Sequence, residues 1–142
     1  MDNTATVRAV RAAIENLVED TNTMWATGEI AEDSSVRHVV EDLVAVQYAP
    51  HYEGGTWRAG SGGAWVEGTA EAAAALRGQG CTWTVHDLQV LARNAHEAIA
   101  SYRVVHHWGE ADRRPAEAFF LETWRRDDGG TWRLARHTAE KT

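Results

Sequence analysis

His106, His51, Asp87 and Glu122 are the side chains of this sequence whose types and positions best suit proton transfer. An imidazole titrates near neutrality, so either histidine can take a proton from a carbon beside a carbonyl. A carboxyl lodged among apolar side chains is held partly protonated by desolvation, so Asp87 or Glu122 can return one. Flat faces for a ring-shaped ligand would come from Trp25, Tyr48, Tyr102, Trp108 and Trp124. Seven tryptophans against two phenylalanines and three tyrosines is an unusual use of aromatic residues. Core filling and strand pairing account for many tryptophans in any fold.

Face assignment follows from strand alternation. In Glu97 to Trp108, the set Ala98, Ala100, Tyr102, Val104, His106 and Trp108 is the more apolar and is read as inward. His106 then stands in a cavity and His107 outside, which rules out a two-histidine metal clamp. Both faces of Ala116 to Arg126 are half apolar, so Glu122 stands either inward beside Phe120 and Trp124 or on the surface paired with an arginine. On Cys81 to Leu91, His86 and Asp87 point opposite ways; only one enters the cavity unless a bulge intervenes. His51 falls in the loop after a strand ending at Tyr48. Convergence of His51, His106, Asp87 and Glu122 on one cavity would favour an enzyme; scatter would favour a binding module.

These residues need elements to position them. Val7, Val10, Ile14, Leu17, Val18 and Trp25 recur at helical spacing behind an Asn3 or Thr4 cap, and Gly28 ends that helix. A second helix is expected from about Asp33 to Asp42. Val44 to Tyr48 alternates as a strand. Gly54-Gly55 and Gly60 to Gly63 mark turns, with a short strand near Ala64 to Val66. A third, alanine-rich helix runs from a Thr69 cap through Leu76. Four antiparallel strands follow: Cys81 to Leu91, Glu97 to Trp108, Ala116 to Arg126 and Thr131 to Thr138. Asp127-Asp128-Gly129-Gly130 is the turn before the last.

The whole chain sets outer bounds. Its 142 residues suit one domain, and 44% hydrophobic residues can fill one core. A formal net charge of −7 with no basic stripe argues against nucleic acid as a partner. Cys81 is the only cysteine, so no internal disulfide forms, and a structural role is expected for it. Neither a secretory h-region nor a membrane-spanning apolar run is present, which makes the cytoplasm the expected location. No HExxH, CxxC pair or EF-hand loop occurs, and Gly60-Ser61-Gly62-Gly63 lacks the ending of a phosphate loop. Neither a metal nor a cofactor is therefore expected.

Four stretches resemble the nuclear transport factor 2-like superfamily in its SnoaL-like branch. Trp25-Ala26-Thr27-Gly28-Glu29-Ile30 looks like the exit of the family's first helix. Glu41-Asp42-Leu43-Val44-Ala45-Val46 looks like the acidic pair leading into its first strand. Glu67-Gly68-Thr69-Ala70-Glu71-Ala72 looks like the start of its third helix, and Thr123 to Leu134 like its closing hairpin. The resemblance implies one α+β domain over residues 1–142, a cone-shaped, strongly curved, mostly antiparallel sheet wrapped around three N-terminal helices. It further implies a cofactor-free cyclase, dehydratase or isomerase of secondary metabolism acting on a hydrophobic cyclic or polyketide-like molecule. The alternative is a non-catalytic module that binds a small molecule or pairs with another protein. The ketosteroid isomerase branch carries an Asp near the end of the first strand, where Gln47 and Tyr48 stand here, and Gln47 cannot abstract a proton. A homodimer through the sheet is expected, since Ile99 and Val105 make the outer face apolar as well.

Overall fold

A computed structural model describes residues 3–29, 38–110 and 114–142. Helix α1 spans Thr4–Thr27 and buries Thr6, Val10, Ile14, Leu17, Thr21 and Met24, one stripe at spacings of three and four. Gly28 closes it in the left-handed region (φ 74°), its N–H bonded to the Met24 carbonyl. A side chain there would meet the Arg77 stem, so the position needs glycine twice over.

Strand β1 is Val39–Tyr48 and β2 is Thr56–Ala59, joined through a short 3₁₀ turn at Glu53–Gly55. Helix α2 is Gly62–Leu76, capped by the Ser61 hydroxyl, which accepts from Ala64 N–H at 3.1 Å. Then come β3 (Thr82–Ala92), β4 (Glu97–His107), β5 (Ala116–Arg126) and β6 (Trp132–Lys141). They form one open sheet in the order β2-β1-β6-β5-β4-β3, antiparallel except where β1 runs parallel to β6. The α+β class and the four-strand antiparallel run agree with the sequence reading.

The helical expectations need correction. Residues 33–37 of the expected second helix lie outside the described residues, and Val39 to Asp42 belong to β1. Val39 and Val40 also suit a strand once pairing partners exist, and Val39 pairs with Leu134 of β6. The expected third helix starts seven residues before Thr69, at Gly62, and absorbs the expected strand at Ala64 to Val66. Glycines look like a turn in sequence, yet Gly62 lies so close to β1 that a Cβ would come within 2.5 Å of the Val40 carbonyl. Glycine there lets the helix press against the strand. Two helices are thus present among the described residues.

Both helices lie on one face of the sheet. That face carries Ala98, Ala100, Ala118 and Ala139, all buried, and their small size leaves room for larger groups around them. Asn22 of α1 holds the edge strand β3 at two points: its Nδ2 donates to the Trp83 carbonyl (3.0 Å) and its Oδ1 accepts from Trp83 N–H (2.8 Å). Backbone groups that an edge strand would otherwise leave open are satisfied in this way. Cys81 is buried at the foot of β3.

Candidate functional site

Two one-residue bulges decide which side chains reach the helix-covered face. In β6, Leu134 pairs with Trp124 and Arg136 with Thr123, so Ala135 has no opposite number. Without the extra residue, alternation from Leu134 would carry Arg136, Thr138 and Glu140 inward. With it, His137, Ala139 and Lys141 turn inward instead. In β3, Asp87 and Leu88 together oppose Tyr102, and Asp87 adopts φ 56°. Aspartate tolerates that region better than most residues. Trp83 and Val85 face inward before the bulge, and Asp87 is turned out at it.

The inward side chains enclose a cavity of about 410 Å³ between the helices and the sheet. Its apolar walls are Trp25, Trp57, Trp65, Trp83 and Phe120. Trp25 packs on Trp83 (5.9 Å between ring centres) and on His106 (5.5 Å), and Trp57 meets Trp65 edge-on at 6.1 Å. Its polar lining includes His38, Gln47, Tyr52, His106, Glu122 and Lys141.

The floor is a hydrogen-bond relay. Glu122 and His137 are cross-strand neighbours, both fully buried, with Nδ1 2.7 Å from Oε2. The other carboxylate oxygen accepts from the Tyr102 hydroxyl (2.6 Å) and from Trp124 Nε1 (3.1 Å). Gln47 Nε2 lies 3.0 Å from His137 Nε2, and Gln47 Oε1 accepts from the Tyr52 hydroxyl at 2.9 Å. Lys141 Nζ donates to that same hydroxyl at 3.0 Å. The Gln47 orientation assigns the histidine: Nε2 accepts from the amide, and Nδ1–H donates to the carboxylate. Burial, and then the Glu122 charge, push the Tyr102 hydroxyl well above its ordinary pKa.

On the α1 side, His38 Nε2 lies 2.6 Å from Asp20 Oδ2. The carboxylate fixes the ring and leaves Nδ1 as the nitrogen with a free lone pair. His106 has a different environment. Burial first, then the Lys141 and His107 charges, lower its pKa to about 4. It is therefore neutral at physiological pH.

Of the residues expected from sequence, His106, Glu122 and Trp25 line the cavity. The face read as inward on Glu97 to Trp108 is the buried one through Val104, and of the two positions left open for Glu122 the structure has the inward one. Neither carboxylate partners His106, however: Glu122 is taken by Tyr102, Trp124 and His137, and Asp87 by Arg103 at 3.5 Å on the outer face. His51 is exposed and stacks on Tyr52 at 4.4 Å; in that turn it is Tyr52 that points inward. Tyr48 is 47% exposed because the end of β1 turns Val44 and Tyr48 outward and presents Leu43, Ala45 and Gln47 to the interior. Tyr102 and Trp124 lie behind the lining, both donating to Glu122, and Trp108 is half-buried outside it. Asp20, His38, Gln47, Tyr52, His137 and Lys141 went unrecognised as site residues. Among the described residues, no three His, Cys, Asp or Glu side chains are grouped to hold a metal ion.

A second depression, between α1 and β3, is larger and shallower and is lined by Arg11, Glu15, Glu19, Val85 and Leu88. Arg11 is already committed to the Leu88 carbonyl (2.9 Å), and no imidazole lines the depression. The aromatic cavity is therefore the candidate site.

No family model matches the sequence, and no curated protein matches it. Solved structures do. An NTF2-like protein of unknown function from Pseudomonas putida superposes with a TM-score of 0.75 at 15% identity, over 96% of this chain and 87% of its own. A candidate dehydratase of the NTF2-like family from Streptomyces avermitilis superposes at 0.72 and 14% identity, over 99% of both chains. The CaMKII hub of S. rosetta superposes at 0.71 and 15%, over 96% of both. The chain has the NTF2-like fold. No helix among the described residues is long and apolar enough to cross a membrane.

Proposed function

We propose that the protein is a cofactor-free acid–base enzyme that removes water from, or shifts a double bond in, a flat cyclic ketone of polyketide-like character. The observation that carries this is His38, on the wall of a tryptophan-lined cavity and paired with the Asp20 carboxylate. His38 takes the proton from the carbon beside the carbonyl at Nδ1 while Asp20 holds Nε2. His106, neutral with its pKa near 4, donates a hydrogen bond to the carbonyl oxygen as negative charge develops there. His38 returns the same proton to the departing β-hydroxyl, so the products are an enone and water. Indole faces hold the ring in register. Glu122, with three donors on its two oxygens, anchors the floor rather than moving the proton. A candidate dehydratase of the same fold supports this class of reaction.

The test is deuterium exchange followed by NMR, with a panel of cyclic β-hydroxy ketones in D₂O. Wild type should exchange the α-hydrogen and release water. His38→Gln and Asp20→Asn should each lose at least about a hundredfold, in the range general acid–base groups supply. Full exchange by His38→Gln would end the proposal.

We infer further that two copies pair through the outer face of the sheet. Phe119 and Leu121 stand side by side on β5, 64% and 56% exposed, with Val44 and Tyr48 also exposed on β1. Ile99 and Val105, on which the sequence expectation rested, are already half-buried and buried. Large apolar side chains grouped on one face favour a second cover.

A further inference from the structure

The chain's fourteen basic residues include one lysine, Lys141, and it lines the aromatic cavity. Among the described residues no arginine lines that cavity. Lys141 owes its position to the Ala135 bulge, which turns the end of β6 inward. One of its N–H groups is committed, to the Tyr52 hydroxyl, and its ammonium lies 5.5 Å from the centre of the Tyr52 ring. Among the described residues no carboxylate comes within 4 Å of it. The carboxylates that line the cavity are otherwise placed: Glu122 is held by three donors, and Glu71 is exposed on α2. A half-buried ammonium with spare donors in an apolar slot is an unusual arrangement in a protein of net charge −7.

We propose that Lys141 is the specificity-determining residue of the cavity and selects planar ring compounds that carry a carboxylate. A single ammonium suits a monoanion. A phosphate, with nearly two charges, calls for an arginine fork or more than one cation, and among the described lining residues Lys141 is the one permanent cation. The tryptophan walls take the ring, and the two spare N–H groups of Lys141 take the carboxylate. Burial first, and then the Lys141 charge, lowers the pKa of His106 in the same cavity. This inference rests on the cavity being the ligand site, as proposed above, but not on the reaction.

The experiment is calorimetric titration of the full chain at pH 7.5 with 2-naphthoate and with its neutral analogue naphthalene-2-carboxamide. Wild type should bind the naphthoate at least about tenfold more tightly, and 0.5 M NaCl should narrow that gap. Lys141→Met should abolish the preference for the naphthoate; Lys141→Arg should keep part of it. Circular dichroism and melting of both variants verify the fold. Equal binding of the two probes by wild type, or a preference that survives in Lys141→Met, overturns the role of Lys141 and leaves the cavity standing as a neutral-ring site. Binding of neither probe overturns both.

Discussion

Lys141 and Glu122 stand at the two ends of one hydrogen-bond relay, passing through Tyr52, Gln47 and His137, in which every donor points towards the carboxylate. Aligned donors polarise one another in a low-dielectric interior. The relay joins an ammonium at the cavity wall to a carboxylate at the floor, and it fixes the rotamers of the three groups between.

Glu122→Leu should therefore be far more damaging than its volume suggests. It strands three buried donors, on Tyr102, Trp124 and His137, each costing about 1–3 kcal/mol when unsatisfied. Urea unfolding at pH 7 should show a loss of about 3–5 kcal/mol, the range for breaking a buried pair. Adding His137→Phe should recover part of the loss, since one stranded donor disappears with it. A double variant worse than the single one would contradict this account.

Acid should weaken the fold through His106. Its folded pKa of about 4 lies below the unfolded value near 6.5. Between those values the unfolded chain binds the proton and the folded one does not. Stability contributed at neutral pH is therefore lost as pH falls from 6.5 to about 4, and the loss levels off below. The shift corresponds to about 3 kcal/mol. His106→Gln should flatten that part of the stability–pH curve, measured by urea unfolding at half-unit steps. His107→Gln, on an exposed residue of the outer face, should leave it steep. On activity, His106→Ala should remove turnover while His107→Ala leaves it nearly unchanged.

One of the three tyrosines should fail to ionise in the native state. Tyr102 is raised well above 10 by burial and by Glu122, whereas Tyr48 is largely exposed. Ultraviolet difference titration should show no phenolate from Tyr102 until unfolding. Because its folded pKa is raised, the stability it contributes is present below pH 10 and drains away as pH climbs beyond it. Tyr102→Phe should cost about 1 kcal/mol, one hydrogen bond to a charged acceptor with its partner still served by two donors. Native-state ionisation of all three tyrosines at pH 10 would refute the buried pairing.

Light scattering at micromolar concentration should give the mass of a dimer. Phe119→Arg and Leu121→Arg should each yield a monomer with an unchanged melting profile below that concentration. A wild-type monomer would remove the pairing proposal.

Much of this molecule is set by local sequence. The stripe Val10, Ile14, Leu17 fixes α1, and Gly28 ends it, because helical spacing and a left-handed cap are local properties. Alternation along β4 puts Ala98, Ala100, Tyr102, Val104 and His106 on one face, because an unbroken strand leaves no other choice. Tertiary structure decided the rest. A bulge at Ala135 inverts the faces of the last six residues of β6, and one at Asp87 does the same in β3. No residue type announces either, since a bulge is set by the partner strand's register. The stretch from Val39 became strand because β6 offered a parallel edge, with Val39 opposite Leu134 and regular pairing from Val44. His38 and Asp20, eighteen residues apart in the chain, and Gln47 and His137, ninety apart, acquire meaning only where the fold brings them within 3 Å of one another. Side-chain chemistry is written residue by residue, but which of those groups share a cavity depends on pairings that no local pattern contains.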